Sequence, residues 1–382
     1  MKPRTQPSEA KAPRPRQTAA SEWKDATLGD FISLQRGHDL TDPERRAGNI
    51  PVMGSAGQNG FHDTALAKGP GIVIGRSGAS FGQVHYSDVD YWPHNTALYV
   101  TDFKGNDVRF AYYLLKTLDF SGYNSGSAQP SLNRNYIYLA SVKIPPLPEQ
   151  RAIADMLGIL DDKIDLLHRQ NKTLESLAET LFRQTFIESP QPDWKEGKLG
   201  DVTDNIRESI KTEDILAETK YIGLEHIDKR NIALNQYGHG DAVSSNKSAF
   251  GKNDILFGKL RPYFHKVVIA PFSGICSTDI LVLRPKRPEY LAFCLFAFFQ
   301  DDVVAYANLG SGGTRMPRTD WNTLSQYEIV IPDTKAINAF NAFAIPALEK
   351  IQKNIAQIKT LEAIRNMLLP RLMGGESKIS TI

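Results

Sequence analysis

Cysteine is almost missing from this chain: only Cys276 and Cys294 occur among 382 residues. Two cysteines cannot form a disulfide framework, and they are too few for a cysteine-rich zinc site. Both lie in apolar stretches, so we expect buried thiols that pack as small hydrophobic side chains. With 41% hydrophobic and 23% charged residues, the composition is that of a globular protein, and the length suits two domains.

Long apolar runs and a strong excess of one charge are lacking as well. The most apolar run, residues 290–299, is about half as long as a membrane span. Residues 1–22 have five cationic side chains but no apolar core of a signal peptide. We therefore predict a disordered tail at 1–22, a short tail at 375–382, a cytoplasmic location and no membrane partner. The net charge of only +2 means that any nucleic-acid surface must come from a local arrangement of charges.

The motifs of nucleotide-driven and methyl-transferring enzymes are missing. No Gly-x4-Gly-Lys-Ser/Thr run that would bind phosphate occurs. The only Pro-Pro pair, Pro145-Pro146, lacks the neighbours of the Asn/Asp-Pro-Pro-aromatic run that amino-methyltransferases use. The histidines have no metal-ligand spacing. The sequence thus predicts no catalytic residue, no metal and no cofactor in this chain. Surface or DNA-contacting roles are expected for four histidines of the first half, His38, His62, His85 and His94.

An internal repeat organises the chain. The number of residues between matching segments of the two copies varies in the first part of each half. It becomes constant from Ile144-Pro145 and Ile331-Pro332 onward. A period of roughly 180 residues is too long for a solenoid and indicates a duplicated unit of a domain followed by a helix. The matched segments are 23–30 with 194–201, 71–76 with 254–259, and 95–100 with 277–282.

The constant part of each half has apolar residues at alternating steps of four and three, which is the period of a coiled coil. We predict two long spacer helices, 149–187 and 334–374, packed together as an antiparallel coiled coil, the first roughly 57 Å long. Asn171 and Asn354 are single polar residues in these stripes, and they either fix the register of the seam or face solvent at a frayed seam. The stripes include Ile153, Leu157, Leu160, Ile164, Leu167 and Leu174, and Phe340, Ala344, Ala347, Ile351, Ile358 and Leu361.

The remaining segments predict an α/β (α+β) class. Short β-branched runs alternate with Gly-rich turns and with one apolar helix per domain, at 110–118 and at 292–299. We place two duplicated domains at 23–148 and 188–333.

Several motifs follow one another along the chain. They are the Trp-Lys-x3-Leu-Gly-Asp runs at Trp23 and Trp194, GSAQPSL at 126–132, IPPLPEQRAI at 144–153 and ILFGKLRPY at 255–263. In this order, and duplicated, they resemble the motifs of the specificity subunits of type I restriction–modification enzymes, from Trp23 to about residue 374, and the two domains would be their target-recognition domains. The second copy departs from the pattern, with GTRMP at 313–317 and PDTKA at 332–336.

This resemblance implies a DNA-binding subunit of a phage-defence system that has no catalysis of its own. Each domain would read one half of a split, asymmetric site in double-stranded DNA, and the helical spacer would fix the gap. The implied partners are two modification (methyltransferase) subunits and ATP-dependent restriction (translocase and nuclease) subunits. S-adenosylmethionine, ATP and Mg would then be bound by those partners.

Candidate DNA-contacting residues lie in loops that follow strand ends and carry Arg, Lys, Asn, Gln and Ser. Arg76 and Lys259 are equivalent in the repeat, and each follows a glycine that lets another backbone approach closely. This equivalence predicts a shared role, as a phosphate anchor or as a contact that fixes the fold. The candidates are Arg76, Ser77, Ser80, Gln83, Gln129, Asn133 and Arg134 in the first domain, and Lys259, Arg261, Tyr263, Lys266, Arg315 and Arg318 in the second.

Two other classes of function remain open. A methyltransferase or nuclease would bind its cofactor in a titration of the isolated chain. A coiled-coil adaptor that binds protein partners would show no salt-dependent shift on duplex DNA. Within the DNA-binding class, the alternative is the specificity module of a related, type IIB-like system that cuts at fixed distances.

Overall fold

A computed structural model describes residues 23–125, 130–310 and 316–375. The chain divides into two compact units, one formed by Met1–Leu160 with Ile364–Ile382 and the other by Asp161–Ala363. The predicted tails, 1–22 and 375–382, lie outside the described residues except for residue 375.

The first unit combines three small sheets with short helices and with the beginning of a long helix. Its elements are β1 (Lys24–Thr27), α1 (Leu28–Phe31), β2 (Ser33–Arg36), β3 (Ile50–Gly54), β4 (Gly57–His62), β5 (Gly71–Gly75), β6 (Val84–Ser87), β7 (Trp92–Pro93), β8 (Ala97–Asp102), α2 (Val108–Thr117), α3 (Arg134–Ile137), β9 (Ser141–Ile144) and the start of α4 (Leu147–Phe182).

Strand β5 lies at the centre of this unit. Four antiparallel strands are ordered β2-β8-β5-β6, and β3 pairs with β4 on one side and, in parallel, with β7 on the other. Ile72 and Ile74 face a core that includes Phe110 of α2, whereas Val73 faces a second cluster with Tyr91. Both faces of β5 are therefore covered, which explains why its sequence is a continuous apolar run rather than an alternating one.

The second unit repeats this plan. Its elements are the remainder of α4, then β10 (Lys195–Lys198), α5 (Leu199–Val202), β11 (Thr203–Ile206), β12 (Ser209–Ile210), β13 (Lys220–Ile222), β14 (Gly238–His239), β15 (Lys247–Phe250), β16 (Ile255–Gly258), β17 (Val267–Ile269), β18 (Gly274–Cys276), β19 (Ile280–Pro285), α6 (Leu291–Phe298), α7 (Asp301–Leu309), α8 (Trp321–Leu324), β20 (Glu328–Ile331) and most of α9 (Thr334–Met373), whose last residues from Ile364 onward belong to the first unit.

The strand order β11-β19-β16-β17 matches β2-β8-β5-β6, and the parallel pair β13–β18 matches β3–β7. The predicted α/β (α+β) class and the duplication are thus confirmed. The prediction of one apolar helix per domain is incomplete, because α7 follows α6 directly. The second sheet also differs, with five strands ordered β12-β15-β18-β13-β14 where the first unit has three.

Within the second unit, α4 and α9 pack with their contacts in opposite chain order. The rings of Phe182 and Phe340 lie 5.9 Å apart, while Ile164 and Leu167 share a small cluster with Ile358. The pairing of the two spacer helices in this unit agrees with the predicted antiparallel arrangement. A regular supercoil stays a prediction. Helix α4 ends in one π-helical segment, Arg183–Glu188, before Pro190.

Within the first unit, the other ends of the same two helices meet. Ile153 and Leu157 near the start of α4 belong to the same core as Leu372 and Met373 near the end of α9.

Both cysteines are buried, as predicted. Cys276 lies in the core around β16 and β18, and Cys294 lies on α6 with its thiol 3.4 Å from Thr203 Oγ1. Burial raises the pKa of each thiol to about 12. Both therefore stay protonated near neutral pH and are unreactive as nucleophiles.

Within the described ranges, no single helix has the length and apolar character needed to cross a membrane. The bent pair Pro288–Phe298 and Asp301–Leu309 meets the length and composition criteria when it is taken together.

Candidate nucleic-acid interface

Two equivalent loops follow the central strands β5 and β16. We call residues 76–83 reading loop 1 and residues 259–266 reading loop 2. The backbone N–H of Arg76 donates to the carbonyl of Thr96 at 2.9 Å, and that of Lys259 donates to the carbonyl of Asp279 at 2.9 Å. The first residue of each loop is thus anchored to the residue just before the neighbouring strand, β8 or β19, in the same way.

A second pair of backbone bonds anchors each loop from its other side. The N–H of Leu132 donates to the carbonyl of Arg76 at 2.8 Å, and the N–H of Thr319 donates to that of Lys259 at 3.0 Å. Isolated bridges at the next position join Ser77 to Ser131 and Leu260 to Arg318. Both reading loops therefore occupy the same main-chain frame. The sequence equivalence of Arg76 and Lys259 is confirmed in structure.

The two loops share a left-handed backbone although their residues differ. Gly78 and Gly82 of reading loop 1 have φ of 80° and 75°, and the equivalent Arg261 and His265 of reading loop 2 both have φ of 51°. Arginine and histidine rarely adopt this conformation. Its retention indicates that the surrounding hydrogen bonds determine the shape of the loop more strongly than its side chains do.

The predicted close approach of another backbone is found at Gly75, whereas Gly258 is approached most closely by a side chain. A side chain at Gly75 would overlap the carbonyl of Ser80, and one at Gly258 would lie 2.9 Å from Leu224.

Arg76 lies half-buried at the start of reading loop 1. Its Nε donates to the carbonyl of Asn95 at 3.3 Å. Burial lowers the pKa of the Arg76 guanidinium, the positive charge of Arg36 lowers it further, and Asp39 opposes both effects. Arg36 is exposed at the end of β2, and a phosphate bound beside Arg76 would reduce the repulsion between the two positive charges.

The other candidates of the first domain differ in exposure. Gln83 is exposed, whereas Ser77 and Ser80 are half-buried. Asn133 caps α3 by accepting from the N–H of Asn135 at 3.0 Å, and Arg134 donates to the carbonyl of Leu34 at 3.3 Å. These last two side chains have structural contacts whatever else they bind.

Reading loop 2 presents one exposed aromatic ring and several cations. Tyr263 is 51% exposed and its ring lies 4.7 Å from that of Phe264. Arg318 forms an ion pair of 2.7 Å with Asp279.

The remaining cations of this loop are partly buried. Lys266 donates to the carbonyl of Leu224, and burial lowers the pKa of its ammonium group. The Nε of Arg261 is buried, and no partner for it lies among the described residues. The candidates Gln129 and Arg315 lie outside the described residues.

The sequence model of the family described as "Type I restriction modification DNA specificity domain" matches residues 20–176 and again residues 191–366. The chain belongs to this family. Each match contains one reading loop, and the predicted family resemblance is confirmed. The protein is a specificity subunit with two DNA specificity domains.

Known specificity subunits are similar to it along most of their length. The type I restriction enzyme MjaIX specificity subunit of Methanocaldococcus jannaschii is 26% identical over 308 residues, 72% of this chain and 70% of the relative. The EcoDI specificity subunit of Escherichia coli is 22% identical over 425 residues, 94% of each chain. In fold, the crystal structure of the type I restriction-modification S subunit from M. genitalium matches with a TM-score of 0.65 at 16% identity, covering 96% of this chain and 99% of that one.

The first specificity domain has a further candidate surface that sequence reasoning missed. Strand β4 follows a two-residue turn, and its Gln58, Asn59 and Phe61 are exposed. Carboxamide side chains can pair with adenine through two hydrogen bonds, so this hairpin presents the correct chemistry for reading bases. The glycines at 57 and 60, both with positive φ, were the available signal for a hairpin.

The histidines of the first domain are less exposed than predicted. His62 is buried with its ring 5.1 Å from that of Trp92, so the expectation of a surface or DNA-contacting role is wrong for it. His85 contacts the carbonyl of Ser55 at 3.0 Å, and burial lowers the pKa of its imidazole. His62 thus packs on a residue of β7, and His85 lies against Gly57 of β4.

A cavity of about 800 Å³ in the second unit has an acidic character that does not suit DNA. Phe182, Phe186 and Phe293 contribute its apolar wall. Of the described residues that line it, Lys198 alone is cationic, and four carboxylates there would repel phosphate. Among the described residues, no group of three or more His, Cys, Asp and Glu side chains could hold a metal ion. The four carboxylates are Glu196, Asp201, Asp302 and Glu328.

Proposed function

We propose that this specificity subunit reads a split, asymmetric site in double-stranded DNA, with one half-site bound by each specificity domain. The observation that carries this proposal is the shared main-chain frame of the two reading loops. It puts Arg76 and Lys259 at equivalent positions in two domains whose other surface residues differ. Cations at equivalent positions suit a contact to phosphate, which both half-sites have in common. The surface residues that differ between the two domains suit the recognition of different half-sequences.

The spacer helices α4 and α9 fix the gap between the two half-sites. A helix is stiff over its length and advances by about 1.5 Å per residue, so its length sets a distance. The gap recognised in DNA follows from that distance and from the rise of the duplex.

The chain has no catalytic role of its own and recruits two modification subunits and the restriction subunits. S-adenosylmethionine, ATP and Mg are bound by those partners, in the cytoplasm. Exposed apolar side chains on the spacer helices support docking of protein partners. In the first unit these include Ile159, which is 68% exposed, and in the second unit Leu166 and Leu177.

Docking of the modification subunit is tested by co-purification. We expect Leu166→Glu and Leu177→Glu to abolish the complex, while His168→Glu on the exposed surface of the same helix leaves it intact. Complexes of equal yield from all three variants would exclude this surface.

The function itself is tested by co-expressing the chain with its modification subunit and sequencing single DNA molecules for methylated adenine. We expect one asymmetric motif of two half-sequences with a constant gap. A continuous motif would exclude the two-reader arrangement. A stable complex without methylation would favour a protein-binding adaptor.

A further inference from the structure

A network of charged groups in the second unit joins the spacer helix α4 to reading loop 2. Its centre is Arg230, in the segment between β13 and β14. One guanidinium nitrogen lies 2.9 Å from Glu179 Oε1 on α4, and another lies 2.9 Å from Asp301 Oδ1 at the start of α7. Glu179 is only 15% exposed in its side chain, so solvent screens this ion pair less than it screens a surface pair.

The same network includes the backbone and the side chain of His265 in reading loop 2. His265 Nδ1 lies 3.1 Å from Asp301 Oδ1, and the N–H of Arg230 donates to the carbonyl of His265 at 2.8 Å. The imidazole ring and the guanidinium both pack on Phe299, at 4.7 Å and 5.5 Å from its ring centre. Arg230 is thus bonded to the helix on one side and to the loop on the other.

Both residues of this link have a backbone that is unfavourable for their type. The φ of Arg230 is 48° and that of His265 is 51°. Left-handed conformations of non-glycine residues persist only where surrounding contacts enforce them, and they concentrate at functional positions. Two of them, joined by a backbone hydrogen bond, indicate that this contact is held against a local conformational cost.

We propose that Arg230 is a positioning residue, which holds reading loop 2 in a fixed orientation on spacer helix α4 and thereby determines how strictly the gap between half-sites is measured. This inference rests on the proposed reading of a split site. One added base pair moves a half-site by about 3.4 Å and turns it by about 34° about the duplex axis. A reading loop that is free to shift on its helix would still bind the displaced half-site. A loop bonded to the helix cannot follow the displacement and binds that half-site more weakly.

The first domain lacks this link among its described residues and uses another one. The residue equivalent to His265 is Gly82, which has no side chain to form such a link. Asp119, which follows α2 as Asp301 follows α6, accepts a hydrogen bond from the N–H of Ser121 at 2.9 Å. Arg109 of α2 instead donates to the carbonyl of Gly158 on α4 at 3.3 Å. Among the described residues, the first domain is therefore attached to α4 through α2 and through residues outside the loop such as Trp23 and Asp107, which bond to Glu149 and Gln150. The strict link to the loop belongs to the second domain.

The test compares DNA duplexes that contain both half-sequences with the natural gap, with one base pair more and with one base pair fewer. The full chain in complex with its modification subunits is used, and the Kd for each duplex is measured by fluorescence anisotropy. We expect the wild-type complex to prefer the natural gap. Arg230→Ala should reduce this preference by about tenfold while the affinity for the natural gap changes far less, a coupling within the range of contacting residues.

Four further variants make the result specific. Arg230→Lys retains a positive charge but cannot bond both carboxylates at once, so we expect an intermediate loss of gap preference. Glu179→Gln should lower the preference as well, and the double variant Glu179→Gln/Arg230→Ala should lose no more than Arg230→Ala alone. Arg287→Ala removes a comparably exposed arginine of the same domain, paired with Glu289, and should leave the preference unchanged.

Each alternative result has a definite meaning. A loss of affinity that is equal at all three gaps in Arg230→Ala and Arg230→Lys would show a purely structural role and overturn the inference. An unchanged gap preference in every variant would overturn it too, while leaving the split-site proposal intact. A wild-type complex that binds all three gaps equally would overturn the split-site proposal and this inference with it.

Discussion

The side-chain amide of Asn354 donates to Oδ1 of Asn171 at 2.7 Å, so the two single polar residues of the spacer stripes bond to each other. Asn354 is fully buried and Asn171 nearly so, and a second bond of 2.9 Å joins Asn354 to Gln170. Of the two interpretations left open by the sequence, the one that places both residues in the seam is correct. An isolated polar pair in an apolar seam favours one register, because any shift leaves both amides buried without partners.

The asparagine pair predicts an asymmetric response to substitution. Asn354→Leu alone leaves the amide of Asn171 buried with its partner removed, which should lower the free energy of unfolding by about 1–3 kcal/mol. Asn171→Leu/Asn354→Leu removes both polar groups and should recover most of that loss. Thermal unfolding of the complex with modification subunits measures both. A double variant that is less stable than the single one would contradict the prediction.

Lys259 is expected to contact a phosphate. Lys259→Ala should weaken binding equally at every DNA sequence and reduce the slope of log K against log salt concentration by about one. Arg76→Ala should have the same two effects, because Arg76 occupies the equivalent position in the first domain. Lys252→Ala is the matched control, since this exposed lysine lies before the opposite end of β16. An unchanged slope in Lys259→Ala would exclude the phosphate contact.

Lengthening the spacer should change the gap in the recognised site and nothing else. One helical turn inserted near the centre of α4, with a matching turn in α9, adds about 5.4 Å, the rise of one to two base pairs. Methylation sequencing should then show the same half-sequences with a wider gap. The control is an insertion of equal length at the exposed turn Lys104-Gly105, which should leave the gap as it was. Altered half-sequences would show that the helices take part in base recognition.

Acid should weaken the contact between reading loop 2 and its surroundings. Burial lowers the pKa of His265, the charge of Arg230 lowers it further, and Asp301, the carbonyl of Phe299 and Glu179 oppose this. The unfolded chain therefore binds the proton more readily than the folded chain does. The contribution of neutral His265 to the stability of the folded chain is complete above the ordinary histidine pKa of about 6.5. It is lost as the pH falls toward the lower pKa that His265 has in the folded chain.

This pH dependence is measured by thermal unfolding between pH 7 and pH 5. His265→Asn replaces the titrating group by a residue that tolerates the left-handed backbone. The stability of this variant should therefore fall less steeply with acid than that of the wild type. A variant with the same pH dependence as the wild type would show that other groups cause the acid sensitivity.

Much of the fold could be predicted because it depends on regular periods. The apolar run of β5 and the heptad spacing of α4 are visible in a single sequence. Because the unit is duplicated, each pattern occurs in both halves of the chain. The second sheet of the second unit could not be predicted in the same way. Strands β12 and β14 have two residues each, which is too short for any alternation to appear.

The geometry of the candidate interface depended on long-range contacts that no local pattern encodes. Arg261 and His265 carry no compositional sign of a left-handed backbone, since glycine or asparagine would be the expected residues there. The partnership of Arg230 with Glu179 joins residues from separate elements, and it became visible only when the strands had placed them together. Sequence alone located the loops, and packing determined which side chains they present.

The main-chain frame of the reading loops has a consequence for how new targets arise. Since the frame is held by bonds between backbone atoms, a substitution in a loop alters the surface offered to DNA without altering the support beneath it. Glycine at one position in the first copy and arginine at the same position in the second already demonstrate this tolerance. The two copies of the loop can therefore diverge separately, while the backbone bonds that support each of them are kept.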